Sequence, residues 1–173
     1  MGFLHRDEGP PKRRFQMRED LISIGDDYWI EDETGARAFH VDGKALRVRD
    51  TWKLDDMNGN QVALIREKKL SVRDKIAIEL TSGQGPSGAT VHKALVGIRD
   101  RFAIDVDGGD DMKAKGNVVD HEYEIERNGD KVAEISKKWF RVRETYGVEI
   151  EPGVDPVLIL AITVAIDGMT RPG

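Results

Sequence analysis

Pro156-Val157-Leu158-Ile159-Leu160-Ala161-Ile162-Thr163-Val164-Ala165-Ile166 is the one long apolar run in the chain, and it is apolar all round rather than along a single stripe. A segment of that kind belongs out of water on every side. Its β-branched content would suit a strand. Asp155, however, is a good N-cap, Pro156 fits the first helical position, and Gly168 can close the far end, so a helix over about 155–167 is favoured. Eleven residues rise roughly 17 Å, about half of what the hydrocarbon core of a bilayer demands, so no transmembrane segment is expected. Burying its Val, Leu and Ile side chains is worth on the order of 10 to 20 kcal/mol gross, an upper bound. A domain's net stability is about 5 to 15 kcal/mol. This helix therefore decides whether the domain folds, whether strands surround it or it lies against one sheet.

Working outward, the body reads as short segments of period-two alternation punctuated by glycine turns, the pattern of an antiparallel barrel or sandwich. Asp42-Gly43, Asn58-Gly59 and Asn128-Gly129 accept positive φ in tight hairpins, and Thr34-Gly35, Ser82-Gly83 and Gly108-Gly109 mark looser connections. About a dozen strands are predicted. They are Phe15–Arg18, Leu21–Ile24, Tyr28–Glu31, Ala36–Val41, Leu46–Arg49, Val62–Arg66, Ile76–Leu80, Val91–Ile98, Phe102–Val106, Tyr123–Glu126, Val132–Ser136 and Val148–Ile150. Tyr123 and Ile125 alternate with Glu122, Glu124 and Glu126, so one face is buried and the other wet.

The 173 residues fit one domain, expected over 14–173 after a flexible lead-in at 1–13. The absence of cysteine excludes disulfides, a thiol nucleophile and thiolate metal sites. A net charge of -5 argues against general nucleic-acid binding, which relies on many cations displacing counterions from phosphates. The N-terminus lacks the apolar core of a secretory signal, and Arg6 stands where a myristoylation motif needs Ser or Thr, so the expected location is cytoplasmic.

The order of motifs resembles the LURP-one-related family, itself similar to the Tubby C-terminal domain and to phospholipid scramblases. The resemblance begins at Tyr28-Trp29-Ile30-Glu31-Asp32-Glu33-Thr34-Gly35 and continues through Phe39-His40-Val41-Asp42-Gly43-Lys44, the Leu54-Asp55-Asp56-x-x-Gly59 hairpin and Ile65-Arg66-Glu67-Lys68-Lys69. Asn128-Gly129-Asp130-Lys131-Val132, Thr145-Tyr146-Gly147-Val148 and the apolar tail follow. It implies an all-β fold with one buried helix: a twelve-stranded antiparallel barrel enclosing a hydrophobic C-terminal helix. It also implies roles in binding phospholipid headgroups or in membrane-linked signalling. The family supplies no catalytic residues, so neither an enzyme nor a cofactor is expected.

Among local candidates, Gly83-Gln84-Gly85-Pro86-Ser87-Gly88 matches a dinucleotide-binding glycine pattern, but the residues after it read as a strand where that chemistry requires a helix. Ser87 lacks the context of a nucleophile elbow. Asp105, Asp107, Asp110 and Asp111 are candidate cation ligands, but the twelfth position from Asp105 is Gly116 where a calcium loop needs Glu. His5, His40, His92 and His121 have no zinc spacing. His121, between Asp120 and Glu122, is read as structural, since neighbours in a strand point to opposite faces.

Lys137, Lys138, Arg141 and Arg143 around Trp139 and Phe140 are the densest mix of cations and aromatics. They are the expected ligand-binding residues for anionic phospholipid headgroups at a membrane surface, with Trp139 at the interface. Lys12, Arg13 and Arg14 form a smaller cluster. Against these stands a solvated face, or an edge strand decorated with cations to prevent aggregation. A non-enzymatic lipid-binding module is expected, with a protein-interaction or scaffold domain as the alternative.

Overall fold

The structure is a computed structural model that describes residues 10–18, 28–42, 51–68, 75–81, 85–94 and 101–170. Its strands are β1 (Arg13–Arg18), β2 (Tyr28–Asp32), β3 (Arg37–Asp42), β4 (Thr51–Asp55), β5 (Gln61–Lys68), β6 (Lys75–Leu80), β7 (Gly88–Lys93), β8 (Arg101–Asp107), β9 (Met112–Asn117), β10 (Glu122–Arg127), β11 (Asp130–Ser136) and β12 (Thr145–Ile150), followed by helix α1 (Pro156–Thr170). Each strand pairs antiparallel with its neighbours in sequence, and β1 closes on β12 with Phe15 opposite Val148. The result is a closed twelve-stranded barrel around the helix. Closure removes the edges of the sheet, so an edge strand needing cationic protection has no counterpart in this barrel.

Alternation is plain on the wall. In β8, Phe102, Ile104 and Val106 point inward while Arg101, Asp105 and Asp107 face water; in β9, Met112 and Ala114 point inward and Lys113 and Lys115 outward. Sequence reading missed β9 because Ala and Gly are weak strand formers, and β4 because it begins at Thr51 among polar residues. The predicted strands Leu21–Ile24 and Leu46–Arg49, and the turn residues Gly43, Ser82 and Gly83, lie outside the described residues.

The hairpins follow their turn residues. Asn128 (φ 53) and Gly129 (φ 84) both take the left-handed conformation a two-residue hairpin requires. At the β2–β3 turn, Asp32 accepts hydrogen bonds from the Thr34 hydroxyl and from the amides of Thr34 and Ala36, which hold its carboxyl below the ordinary range.

Helix α1 starts as predicted: Asp155 Oδ1 accepts the Val157 amide at 2.9 Å. Every residue from Leu158 to Asp167 is buried, the all-round burial that its sequence demands, and the inward strand residues form one continuous core with it. The helix continues to Thr170 rather than stopping near 167. Gly168 is therefore not a terminator. A Cβ there would lie 2.9 Å from Trp52 Cη2, so glycine lets the indole rest against the helix.

Since β12 leaves the barrel at one end and α1 returns through it, the two ends differ. The turns β2–β3, β4–β5, β6–β7, β8–β9 and β10–β11 surround the start of α1. The β9–β10 and β11–β12 connections, with the strand termini Arg18, Lys68, Lys75, Lys93 and Arg101, surround its finish.

Candidate functional site

Residues 137–144 form the β11–β12 connection rather than a strand. Trp139 and Phe140 lie over Gly147 of β12, where a Cβ would sit 2.8 Å from Trp139 Cε3 and 2.9 Å from Phe140 Cε2. The aromatic pair is thus half-buried on the outer wall, and Arg14 and Lys138 stand over the Trp139 ring at 5.3 and 5.0 Å. Lys138 Nζ is also 2.7 Å from Glu134 Oε1, a contact that lowers the Glu134 carboxyl and raises the Lys138 ammonium. Lys137 donates its backbone amide to Glu122 Oε1 at 2.9 Å. Arg141 and Arg143 project into solvent on either side of Val142, itself 59% exposed.

The predicted cluster is thereby divided. Lys138 and Trp139 belong to a structural patch on the wall, and Arg141 and Arg143 form a cationic tip. The Lys12–Arg14 cluster joins the wall patch: Lys12 Nζ lies 3.1 Å from Glu151, and Arg14 Nε lies 2.6 Å from Glu149. Arg13 stands over the Phe15 ring at 5.0 Å.

The acidic turn is committed to its own fold. Asp111 Oδ1 accepts the Val106 amide at 2.9 Å, Asp110 Oδ2 accepts from Asn128 Nδ2 at 3.0 Å, and Asp105 pairs with His92 at 3.2 Å. Asp107 sits at the exposed end of β8. No group of three metal-ligating side chains converges among the described residues. In the glycine-rich segment, Gly83 and Gln84 lie outside the described residues, while Gly85 (φ 130) and Gly88 serve the β6–β7 hairpin, whose second strand stands where a nucleotide loop needs a helix. His5 is also outside the described residues. His40 lies against Trp29 at 4.8 Å between ring centres and 3.9 Å from Asp55.

Two arrangements escaped sequence reading. The first is inside. His121, at φ 56 in the β9–β10 turn, points into the barrel, stacks on Tyr146 at 4.1 Å and lies 3.2 Å from Asp167 Oδ1 of α1. The Tyr146 hydroxyl donates to Asp167 Oδ2 at 2.5 Å. The imidazole is near enough for an ionic contact but off the hydrogen-bond line, which leaves Asp167 Oδ1 without a donor. Tyr123 completes the group. Burial, reinforced by the Asp167 charge, drives its phenol well above the ordinary value. Thr163 bears on that phenol but donates its own proton to the Ile159 carbonyl at 2.8 Å, and the Tyr123 hydroxyl has no partner of good geometry. His121 and Asp167 are far apart in sequence, and only the barrel joins them.

The second is axial. Around the start of α1 the turns carry Asp32, Glu33, Asp56, Asp110, Asp111 and Asp130. Around its finish lie Arg18, Lys68, Lys93, Arg101, Arg141 and Arg143, all exposed, together with the exposed carboxylates Glu67, Asp120, Glu122 and Glu144. Two pairs of like charge stand directly opposite each other at that end, Lys68 with Lys75 and Arg101 with Lys115. Two of the exposed large apolar side chains, Val119 at 63% and Val142 at 59%, occupy connections at the same end. Net charge alone hides this, because it sums over both ends.

The family model described as LURP-one-related matches residues 13–167. The chain is 22% identical over 151 residues to a Bacillus subtilis (strain 168) protein, YxjI, described as uncharacterised, covering 87% of this chain and 90% of that one. An X-ray structure of an Arabidopsis thaliana protein superposes with a TM-score of 0.69 at 17% identity, covering 94% of this chain and 93% of the other, and so shares the fold.

Proposed function

The chain belongs to the LURP-one-related family, and from that premise we propose that it is a non-enzymatic binding module. It docks the basic end of its barrel on anionic phospholipid at a cytoplasmic membrane surface. The observation that carries this reading is the axial bias of charge among the described residues: exposed cations and two exposed valines outnumber the carboxylates Glu67, Asp120, Glu122 and Glu144 around the finish of α1, while carboxylates predominate in the turns around its start. Each Lys or Arg held near an anionic surface contributes about 1 kcal/mol, so a few together give reversible adsorption. The carboxylates of the opposite turns disfavour the reverse orientation. Arg141-Val142-Arg143 offers two charges and an apolar side chain at one tip. Docking is peripheral, since no helix among the described residues is long and apolar enough to cross a membrane.

Retention on vesicles tests the proposal. At low salt the protein should be retained on phosphatidylserine-containing vesicles more than on neutral ones, and retention should fall as salt screens the surface. Arg141→Glu with Arg143→Glu should abolish it. Lys137→Glu with Lys138→Glu should have the smaller effect, because Lys138 already serves Glu134. Equal retention on acidic and neutral vesicles at low salt would sink the reading. The exposed Val119 and Val142 favour a second reading, a protein-interaction domain, which requires association that salt does not weaken.

A further inference from the structure

On the outer wall of β8 and β9, beside the basic end, a hollow of about 320 Å³ is lined by Arg101, Lys113, Lys115 and Glu126, with Ala94 and Ala103 leaving the space between them. The register explains it. Arg101 stands directly opposite Lys115, and Ala103 opposite Lys113, so three cations occupy adjacent outward positions around one short side chain. Like charges directly opposite each other destabilise a sheet. Glu126 faces Lys113 in register, yet it is taken diagonally by Lys115 at 2.6 Å. Arg101 and Lys113 have no acidic partner among the described residues. Within the lining of this hollow three cations stand against one carboxylate, an excess of two positive charges, while Arg101 and Lys115 also border the neighbouring hollow that holds Glu122, Glu124 and Glu134.

We infer that this hollow binds a phosphomonoester. Such a group carries about -1.5 to -2 charge near neutral pH, which matches the excess, whereas a phosphodiester supplies only part of it. Arg101 presents a planar fork for two oxygens, and Lys113 and Lys115 supply point charges from the neighbouring strand. Ala103 is what makes room, since a longer side chain there would fill the floor. The inference deepens the anionic-surface reading and rests on it only for the source of the phosphate: a lipid headgroup if that reading holds, a soluble metabolite if it fails.

The test follows backbone amide shifts of Ala103, Lys113 and Lys115 by NMR during titration with glycerol 3-phosphate. Saturable shifts are expected, with dimethyl phosphate binding distinctly more weakly. Arg101→Gln should weaken binding about tenfold or more, the loss of a charge-assisted hydrogen bond. Ala103→Leu, which keeps every charge and fills the hollow, should abolish binding. Arg101→Gln should melt no lower than the parent, because it relieves the repulsion with Lys115, and a lower melting temperature counts against the inference. The Arg141→Glu, Arg143→Glu protein should bind glycerol 3-phosphate normally, which separates this site from membrane docking. Vesicles of phosphatidic acid compared with phosphatidylglycerol at equal surface charge identify the source: preference for the first supports a lipid ligand, and no preference beside a positive soluble titration supports a metabolite. No saturable shift with glycerol 3-phosphate, equal binding of dimethyl phosphate, or unchanged binding by Ala103→Leu overturns the site.

Discussion

Gly88 and Tyr123 show how much rests on single atoms. Gly88 lies in β7 where the strand crosses Ile78, and a Cβ there would sit 2.2 Å from the Ile78 carbonyl oxygen, a backbone atom that cannot swing away. Gly88→Ala should cost about 1 to 3 kcal/mol or more, as overpacking does, read as a lower urea midpoint with an unchanged slope. A change below the resolution of the measurement would mean that β6 and β7 are not so close. Tyr123 gives a pH prediction. Its folded pKa is raised well above 10.0 by burial and the Asp167 charge, so the stability linked to it is complete below the ordinary tyrosine value. That stability is lost as pH rises past 10, where the unfolded chain gives up the proton and the folded chain keeps it. Phenolate absorbance from Tyr123 should therefore appear only with unfolding. Because the hydroxyl has no good partner, Tyr123→Phe should be close to neutral at pH 7 and should blunt the alkaline loss. Destabilisation by several kcal/mol at neutral pH would contradict this.

Among the elements, α1 is the one whose sequence spoke most clearly. Its uniform apolarity demanded enclosure, and residues 158–167 are all buried. Leu160 has no exposed surface, so Leu160→Ala should cost about 2 to 5 kcal/mol. Chemical denaturation measures it, and a cost under about 1 kcal/mol would place the helix where neighbours can collapse inward freely. Strands with strong alternation, such as β8 and β10, were legible for the same reason. β9 was not, because Met112-Lys113-Ala114-Lys115-Gly116-Asn117 carries small and charged residues that become a strand only through pairing on both sides. Gly168 misled, since local chemistry makes glycine a helix terminator while the packing of Trp52 makes it a contact.

For the molecule as a whole, the sequence is acidic, and composition alone argues for repulsion from anionic partners. Topology nevertheless collects exposed cations from β1, β5, β7, β8 and the β11–β12 connection at one end of the barrel, where they stand among fewer exposed carboxylates, Glu67, Asp120, Glu122 and Glu144, of the described residues. The cations from 137 to 143 were legible because they are adjacent in sequence. The hollow at Arg101, Lys113 and Lys115 and the buried meeting of His121 with Asp167 were not, because strand register and the return of α1 create both. The proposed docking therefore depends on the closed barrel, and variants that keep composition but move charge between the ends should change retention on anionic vesicles without changing stability.

The order of elements has a consequence for synthesis. β1 waits for β12, and the interior waits for α1, which follows all twelve strands. A growing chain on the ribosome therefore carries its inward-facing Ile, Val and Phe side chains without the helix that packs against them until α1 (Pro156–Thr170) has been translated. Collapse comes late and depends on contacts distant in sequence, which makes it slow and prone to aggregation. Such a nascent polypeptide is expected to need protection from aggregation until α1 has emerged.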